Sequence, residues 1–147
     1  MQNLFDLLSH AAKDPRESAI TVYNTNSKDG SMLTYQSLLA LAKNKSIQLQ
    51  QRFGSINDKV VLMYFDNHLD GIVWFWAIVL AGGRPCICPP LIKDQEQRRH
   101  IVRHMQACLE NPLIITAESL VSEFPNMENL HVVLIGKYPW LIFMSLL

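Results

Sequence analysis

The sequence predicts an α/β fold: a mostly parallel β-sheet with helices on both faces. Apolar runs of strand length alternate with stretches of helical spacing along most of the chain. The run 59–65 (KVVLMYF) is apolar after its first residue and partly β-branched, which is typical of a strand covered on both faces. The helical stretches between strands are long enough to be the right-handed crossovers that parallel strands require.

Composition limits the class of protein. The chain has 147 residues, enough for one domain, and 49% hydrophobic against 18% charged residues argue against disorder. Its formal net charge is zero, so electrostatics gives no case for nucleic acid or an anionic membrane as a partner. Three cysteines make no disulfide framework, and no basic leader precedes an apolar core, so we expect a cytoplasmic protein.

The N-terminal half is predicted to hold two helices and three strands. Asn3 and Thr34 are suitable helix caps, and Pro15 and Gly54 are suitable stops. The predicted elements are a helix beginning after Asn3, strands 19–23 and 32–33, a helix from Thr34 to Gly54, and a strand 59–65. The second helix has an apolar stripe (Leu38, Leu39, Ala42, Ile47, Leu49). Its polar face, predicted to be exposed to solvent, carries Lys43, Lys45 and Gln48.

The stretch 66–90 (DNHLDGIVWFWAIVLAGGRPCICPP) contains an almost entirely apolar helix, 68–81. Asp66 or Asn67 is its predicted cap, and Gly82 or Gly83 its left-handed stop. At about 21 Å it is too short for a bilayer core of about 30 Å, so a membrane span is not expected. We predict instead a buried crossover helix that leads into a strand, 84–88.

The C-terminal half continues the alternation. Asp94 and Gln97 have the spacing of a capping box, and Asn111-Pro112 ends the helix that follows. That helix should point Ile101, Val102, Met105 and Leu109 inward and Arg98, Arg99 and Arg103 outward. A strand 113–115, a short helix capped by Thr116 and running to about Phe124, and a strand 131–135 complete the predicted order.

His100, His104 and Cys108 lie at i, i+4 and i+8, on one face of the predicted helix. Together with Cys86 and Cys88 they are candidate zinc ligands. Against this, no pair has the Cys-x-x-Cys spacing, and three arginines on the same helix disfavour a cation. We therefore predict no metal site.

No other pattern predicts catalysis or cofactor binding. Gly82-Gly83 follows a helix and precedes a strand, the reverse of a phosphate-binding loop, and a Gly-x-Ser-x-Gly elbow is absent. Turns and helix starts account for the carboxylates Asp58, Asp66, Asp70 and Asp94, a solvated face for the arginines, and core packing for Trp74 and Trp76. The predicted catalytic, cofactor-binding and metal-binding residues are therefore none.

Several segments together resemble the N-terminal part of adenylate-forming (AMP-binding) enzymes. That family has a strand beginning near Gly-Asp-x-Val, an Asn, a helix with Phe-x-Ala, an Ala-Gly, and a strand leading to Pro. The matching segments are 34–38 (TYQSL), 58–67 (DKVVLMYFDN), 74–77 (WFWA), 81–86 (AGGRPC), 94–101 (DQEQRRHI) and 111–116 (NPLIIT). The likeness is nearest to the fungal non-ribosomal-peptide-synthetase-like branch and runs from roughly residue 4 to 135.

The resemblance implies an enzyme that joins a carboxylic acid to AMP, using ATP and magnesium, and passes the acyl group to a thiol. The family's phosphate loop, acceptor-site aromatic motif, ribose-binding Asp and C-terminal Lys have no counterpart here. We therefore expect residues 1–135 to be a partial adenylation domain, the first α/β subdomain, without activity or bound cofactor alone. Residues 136–147 form a divergent apolar tail, which suggests a truncated or misread gene product.

Two further hypotheses remain open. The chain can be a non-catalytic interaction module that self-associates, or pairs with a full-length relative, through an exposed sheet edge. A compact nucleotide-binding protein of flavodoxin-like shape has less support, because no strand leads through a glycine-rich turn into a helix.

Overall fold

A computed structural model describes residues 3–16, 18–23, 30–91, 93–110 and 112–124. The elements are helix α1 (Leu4–Ala11), strands β1 (Ser18–Tyr23) and β2 (Gly30–Thr34), helix α2 (Tyr35–Phe53), strand β3 (Val60–Tyr64), helix α3 (His68–Leu80), strand β4 (Arg84–Ile87), helix α4 (Gln95–Cys108), strand β5 (Leu113–Thr116) and a 3₁₀ helix (Glu118–Glu123). The predicted strand 131–135 and the tail 136–147 lie outside the described residues.

Strands β3, β4 and β5 form a parallel sheet in the order β4-β3-β5. Helices α2 and α3 cover one face, where Val61 and Met63 pack against Trp74 and Ile78. Helix α4 covers the other face, where Val102 joins a cluster built on the alternate strand residues: Leu62, Cys88 and Ile114, with Phe124. The predicted parallel sheet with helices on both faces is confirmed.

Helix α3 is the buried crossover that its sequence predicts. Asn67 caps it by accepting hydrogen bonds from the backbone N–H groups of Leu69 and Asp70. Gly82 follows it with φ of 82°, the left-handed conformation expected of a glycine stop. Among the described residues, no helix is both long and apolar enough to cross a bilayer.

The stripe predicted for α2 is partly wrong. Leu38, Ala42, Ser46 and Leu49 are its buried residues, at spacings of four, four and three. Ile47 is 100° further round the helix from Ser46 and is exposed, whereas Lys45, predicted to be wet, is half-buried against α3. The period of 3.6 residues per turn therefore explains why Ile47 is exposed and Lys45 is half-buried.

Two predictions beside the C-terminal strand are also wrong. Arg98 does not point into solvent: its Nη1 lies 2.8 Å from Glu123 Oε2, a salt bridge that ties α4 to the 3₁₀ helix. Thr116 does not cap the following helix, because its hydroxyl donates to the Tyr64 carbonyl oxygen at 2.9 Å across the sheet. Ala117 occupies the cap position, without a side-chain hydrogen bond.

Strands β1 and β2 form a separate, antiparallel pair. Leu33 of this pair packs on a cluster that joins α1, α2 and α3 through Leu8, Leu38 and Val73. The sequence predicted both strands but not their separation from the parallel sheet. The β1–β2 pair therefore packs against the helices through one of its two faces.

Candidate functional site at the carboxyl edge of the parallel sheet

Ligands of parallel α/β sheets bind at the carboxyl ends of the strands, so this edge is the first place to look for a site. Strands β3, β4 and β5 end here at Tyr64, Ile87 and Thr116. The polar side chains at or just beyond these ends belong to Asp66, Asn67, Cys88 and Thr116.

Three of these four side chains stabilise the edge itself. The fully buried Thr116 bonds to the Tyr64 carbonyl, and the Asn67 amide oxygen accepts the Leu69 N–H at 2.9 Å. The Cys88 thiol donates to the Pro89 carbonyl oxygen at 3.3 Å. Because these donors and acceptors are already used by the fold, they are poorly placed to hold a substrate.

A small charged cluster lies beside this edge, where α2 packs on α3. Partial burial raises the pKa of Asp70, and the neighbouring Asp66 raises it further, while Lys45 opposes them. Burial likewise lowers the pKa of Lys45, against the attraction of Asp70. The Lys45 ammonium lies 5.4 Å from the centroid of the Trp74 ring and donates to Gln48 Oε1 at 3.1 Å. This cluster joins two helices.

Sequence reasoning missed the role of Lys45, although a signal was available. Lys45 follows Leu38 by seven residues and Ala42 by three, which places it on the same side of α2 as the buried stripe. A lysine there keeps its stem against apolar groups and extends its charge to the nearest acceptor.

The candidate zinc ligands do not form one site. Cys86 and Cys88 lie on the face of the sheet that α4 covers. Burial there raises the pKa of Cys88 to about 11, and the nearby Cys86 contributes a smaller part of this rise. On the outer side of α4, Cys108 Sγ lies 3.5 Å from His104 Nε2. His100 lines a shallow depression at the first turn, with Asp94, Glu96, Gln97 and Ile101. Within the described ranges no three His, Cys, Asp or Glu side chains are grouped as metal ligands.

The opposite, amino end of the sheet is closed by a tight pair of turns. Gly82 accepts the Asp58 N–H at 2.8 Å through its carbonyl oxygen, and a Cβ built on Gly82 would lie 2.5 Å from Asn57 Oδ1. Asp58 itself has a φ of 59°, and the Arg84 Nε donates to its carbonyl oxygen at 2.9 Å. Gly82 thus ends a helix, as predicted, and also holds a turn.

The tryptophans act in packing, as predicted. Trp74 is fully buried between α2 and α3, and Trp76 packs partly buried near α1. Phe75 and Trp76 meet edge to face, with ring centroids 5.6 Å apart. These aromatic side chains form part of the structural framework.

Comparison with known proteins identifies this framework. No family model matches the chain. It is 43% identical over 132 residues to the nonribosomal peptide synthetase acyN of Ascocoryne sarcoides, covering 88% of this chain and 14% of that protein. It is 31% identical over 135 residues to aspulvinone E synthetase melA of Aspergillus terreus, covering 91% of this chain and 15% of that protein.

The fold gives the same result. The adenylation domain of a keto acid-selecting NRPS module, solved with a keto acyl adenylate, matches with a TM-score of 0.74 and 25% identity. The match covers 91% of this chain and 25% of that one. This chain is homologous to one part of fungal NRPS and NRPS-like proteins and has the fold of adenylation domains. It spans about a seventh of the curated fungal relatives and about a quarter of the solved adenylation domain.

The predicted resemblance to fungal NRPS-like adenylate-forming enzymes is therefore confirmed. The boundary at residue 135 stays a prediction, because it falls outside the described residues. The expected lack of catalytic, cofactor-binding and metal-binding residues stays a prediction too.

Proposed function

We propose that this chain is an N-terminal structural part of an adenylate-forming enzyme and activates no carboxylic acid by itself. In the complete enzyme the reaction joins the acid to AMP, with ATP and magnesium supplied to residues outside this part. The observation that carries the proposal is coverage: the likeness extends over 91% of this chain and only 25% of an adenylation domain.

The chemistry of the carboxyl edge supports this proposal. A site for ATP needs several free donors or a cation beside the phosphates. Here the described polar groups Asn67, Cys88 and Thr116 already bond within the fold. The half-buried Lys45 lies over an aromatic ring between two helices and interacts with Asp70.

The test compares the chain with a chimaera. In the chimaera, the aligned part of this chain replaces its counterpart in the Ascocoryne sarcoides synthetase. We expect the purified 147-residue chain to show no acid-dependent ATP–pyrophosphate exchange and no heat of binding with ATP and magnesium, and the chimaera to show exchange. Adenylation of any acid by the chain alone would overturn the proposal.

A second candidate is a non-catalytic module that pairs with a full-length relative through the outer edge of β4. One observation favours it: within the described residues no strand pairs with that edge, and Ile87 is 72% exposed there. One observation opposes it. Arg84 and Cys88 donate their N–H groups to the carbonyl oxygens of Lys59 and Met63. The backbone groups of the alternate residues Pro85 and Ile87 therefore point to the outer edge, where proline has no N–H to offer. Co-purification of the chain with a full-length synthetase, lost on Ile87→Lys, would favour pairing.

A further inference from the structure

The outer face of the β1–β2 pair is an exposed apolar surface. The antiparallel register places Thr21 opposite Met32, and Tyr23 shares their face two residues further along. Tyr23 is 73% exposed and Met32 is 71% exposed. The other face carries Ile20 and its partner Leu33, which packs on the cluster that joins α1, α2 and α3.

The composition of this face is that of an interface and differs from the chain's solvated surfaces. Tyrosine and methionine are enriched at the centres of protein interfaces, where charged residues are depleted. The three described side chains of the outer face carry no charge. By contrast, the exposed sides of α2 and α4 carry Lys43, Gln48, Arg99, Arg103 and His104.

The size of the face decides which kind of occupant fits it. Side chains of this kind expose on the order of 300 Å² together. A stable complex between separate proteins buries about 800 Å² on each partner. So small a patch is suited to a contact within one polypeptide, where the effective concentration is high. A second copy of this chain would gain too little area.

We propose that the outer face of the β1–β2 pair is the surface on which the rest of an adenylation domain packs. The inference rests on the proposed function. About three quarters of the solved adenylation domain has no counterpart in this chain, so the complete enzyme contains an occupant for this face. The occupant is an apolar surface of that remaining part, continuous with this chain.

The first experiment needs no substitution. Hydrogen peroxide converts accessible methionine to its sulfoxide, and mass spectrometry locates the oxidised residue. Met32 should oxidise rapidly in the 147-residue chain and at least about tenfold more slowly in the chimaera with the fungal synthetase. Met63, which is 3% exposed, serves as the matched control and should be protected in both.

The second experiment places a charge on the face. Tyr23→Lys and Met32→Lys should leave the Tm of the isolated chain within about 2 °C, because both side chains are already in water. In the chimaera each should lower the Tm by about 5 °C or more, because the ammonium would be buried without a partner. Gln51→Lys adds the same charge on an exposed position of α2 and should be silent in both proteins.

The outcomes separate this inference from the proposed function. A chimaera that oxidises at Met32 as fast as the chain does would overturn the inference, even if its exchange activity is normal. Protection of Met32 in the isolated chain at high concentration would show that a second copy is the occupant and would overturn it too. A folded chimaera that protects Met32 but has no acid-dependent activity would count against the proposed function alone.

Discussion

Helices cover both faces of the parallel sheet, whereas the described residues cover one face of the β1–β2 pair. In β3, neighbouring residues Val61 and Leu62 point to opposite faces, and both are essentially inaccessible to solvent. In the pair, Leu33 is packed and Met32 is exposed.

This difference shows which apolar strand faces the described residues cover. A strand that is apolar on both sides predicts cover on both sides, since antiparallel sheets that face water place polar residues there. Helices α2, α3 and α4 supply that cover for β3. For the β1–β2 pair, the described residues supply it on one face. The stability of this chain should therefore reside in the parallel sheet and its helices.

Replacing Trp74 should give the largest loss. Trp74→Ala empties a fully buried position between α2 and α3, and we expect unfolding by denaturant to show a loss of about 3–5 kcal/mol. Tyr23→Ala removes an aromatic ring from the exposed face of the pair and should cost less than about 1 kcal/mol. Equal losses would show that the pair is as integral to the chain as the sheet.

Trp74→Phe refines that comparison. The Trp74 indole Nε1 is buried without a hydrogen-bond partner among the described residues, and an orphan donor costs about 1–3 kcal/mol. Phenylalanine keeps most of the ring and removes that donor. Its loss should therefore be much smaller than that of alanine.

The next effect concerns the turn at the amino end of the sheet. Gly82→Ala should destabilise the chain by about 2 kcal/mol or more, because alanine is strained at a φ of 82° and its Cβ would collide with the Asn57 side chain. Gly54 has nothing within 4 Å of an added Cβ, but its φ of 68° and ψ of −152° are essentially restricted to glycine, so Gly54→Ala should itself cost about 1–3 kcal/mol. The part due to the Asn57 side chain is isolated in an Asn57→Ala background, where Gly82→Ala should cost less. An unchanged loss there would remove the Asn57 contact from the explanation.

Local signals predicted most elements, because they depend on residues close in sequence. Asn3, Thr34, Asn67 and Asp94 each cap the helix expected of them, and Gly82 stops α3. Patterns of apolar residues also predicted that β3 would be covered on both faces and that Ile101, Val102, Met105 and Leu109 of α4 would point inward.

Longer-range pairing was beyond the sequence. Thr116 has the residue type and position of a helix cap, and only the neighbouring strand shows that its hydroxyl bonds to Tyr64, 52 residues away. Arg98 likewise has the type of a solvated side chain until the 3₁₀ helix brings Glu123 to it. The same holds for the candidate site. The sequence gives the polar residue types at the carboxyl edge, but the hydrogen bonds that these residues make within the fold could not be predicted from it.

Thr116 offers a smaller test of the same contrast. Thr116→Val keeps the shape of a fully buried side chain and leaves the Tyr64 carbonyl without its donor, so we expect a loss of about 1 kcal/mol. Thr21→Val makes the same change on the exposed face of the pair, where a β-branched apolar residue is tolerated, and should be neutral within about 0.5 kcal/mol. A loss at Thr21 comparable to that at Thr116 would contradict the assignment of this face to the surface.

A further effect is a pH dependence that Cys88 gives to the parallel sheet. Burial, and then the nearby Cys86, raises the pKa of Cys88 from 9.0 to about 11, so the folded chain keeps this proton over a range in which the unfolded chain loses it. The contribution of Cys88 to the free energy of unfolding is therefore fully present below pH 9 and decreases as the pH rises toward 11. Lys45 acts in the opposite sense, since burial lowers its pKa.

The contribution of Cys88 is therefore isolated by difference. The free energy of unfolding of the parent chain minus that of Cys88→Ala, measured by denaturant titration at each pH, should decline between pH 9 and 11. The same subtraction with Cys108→Ala, an exposed thiol on α4, should give a flat line. A flat line for both variants would show that Cys88 ionises equally easily in the folded and unfolded chain and would contradict an effect of its burial.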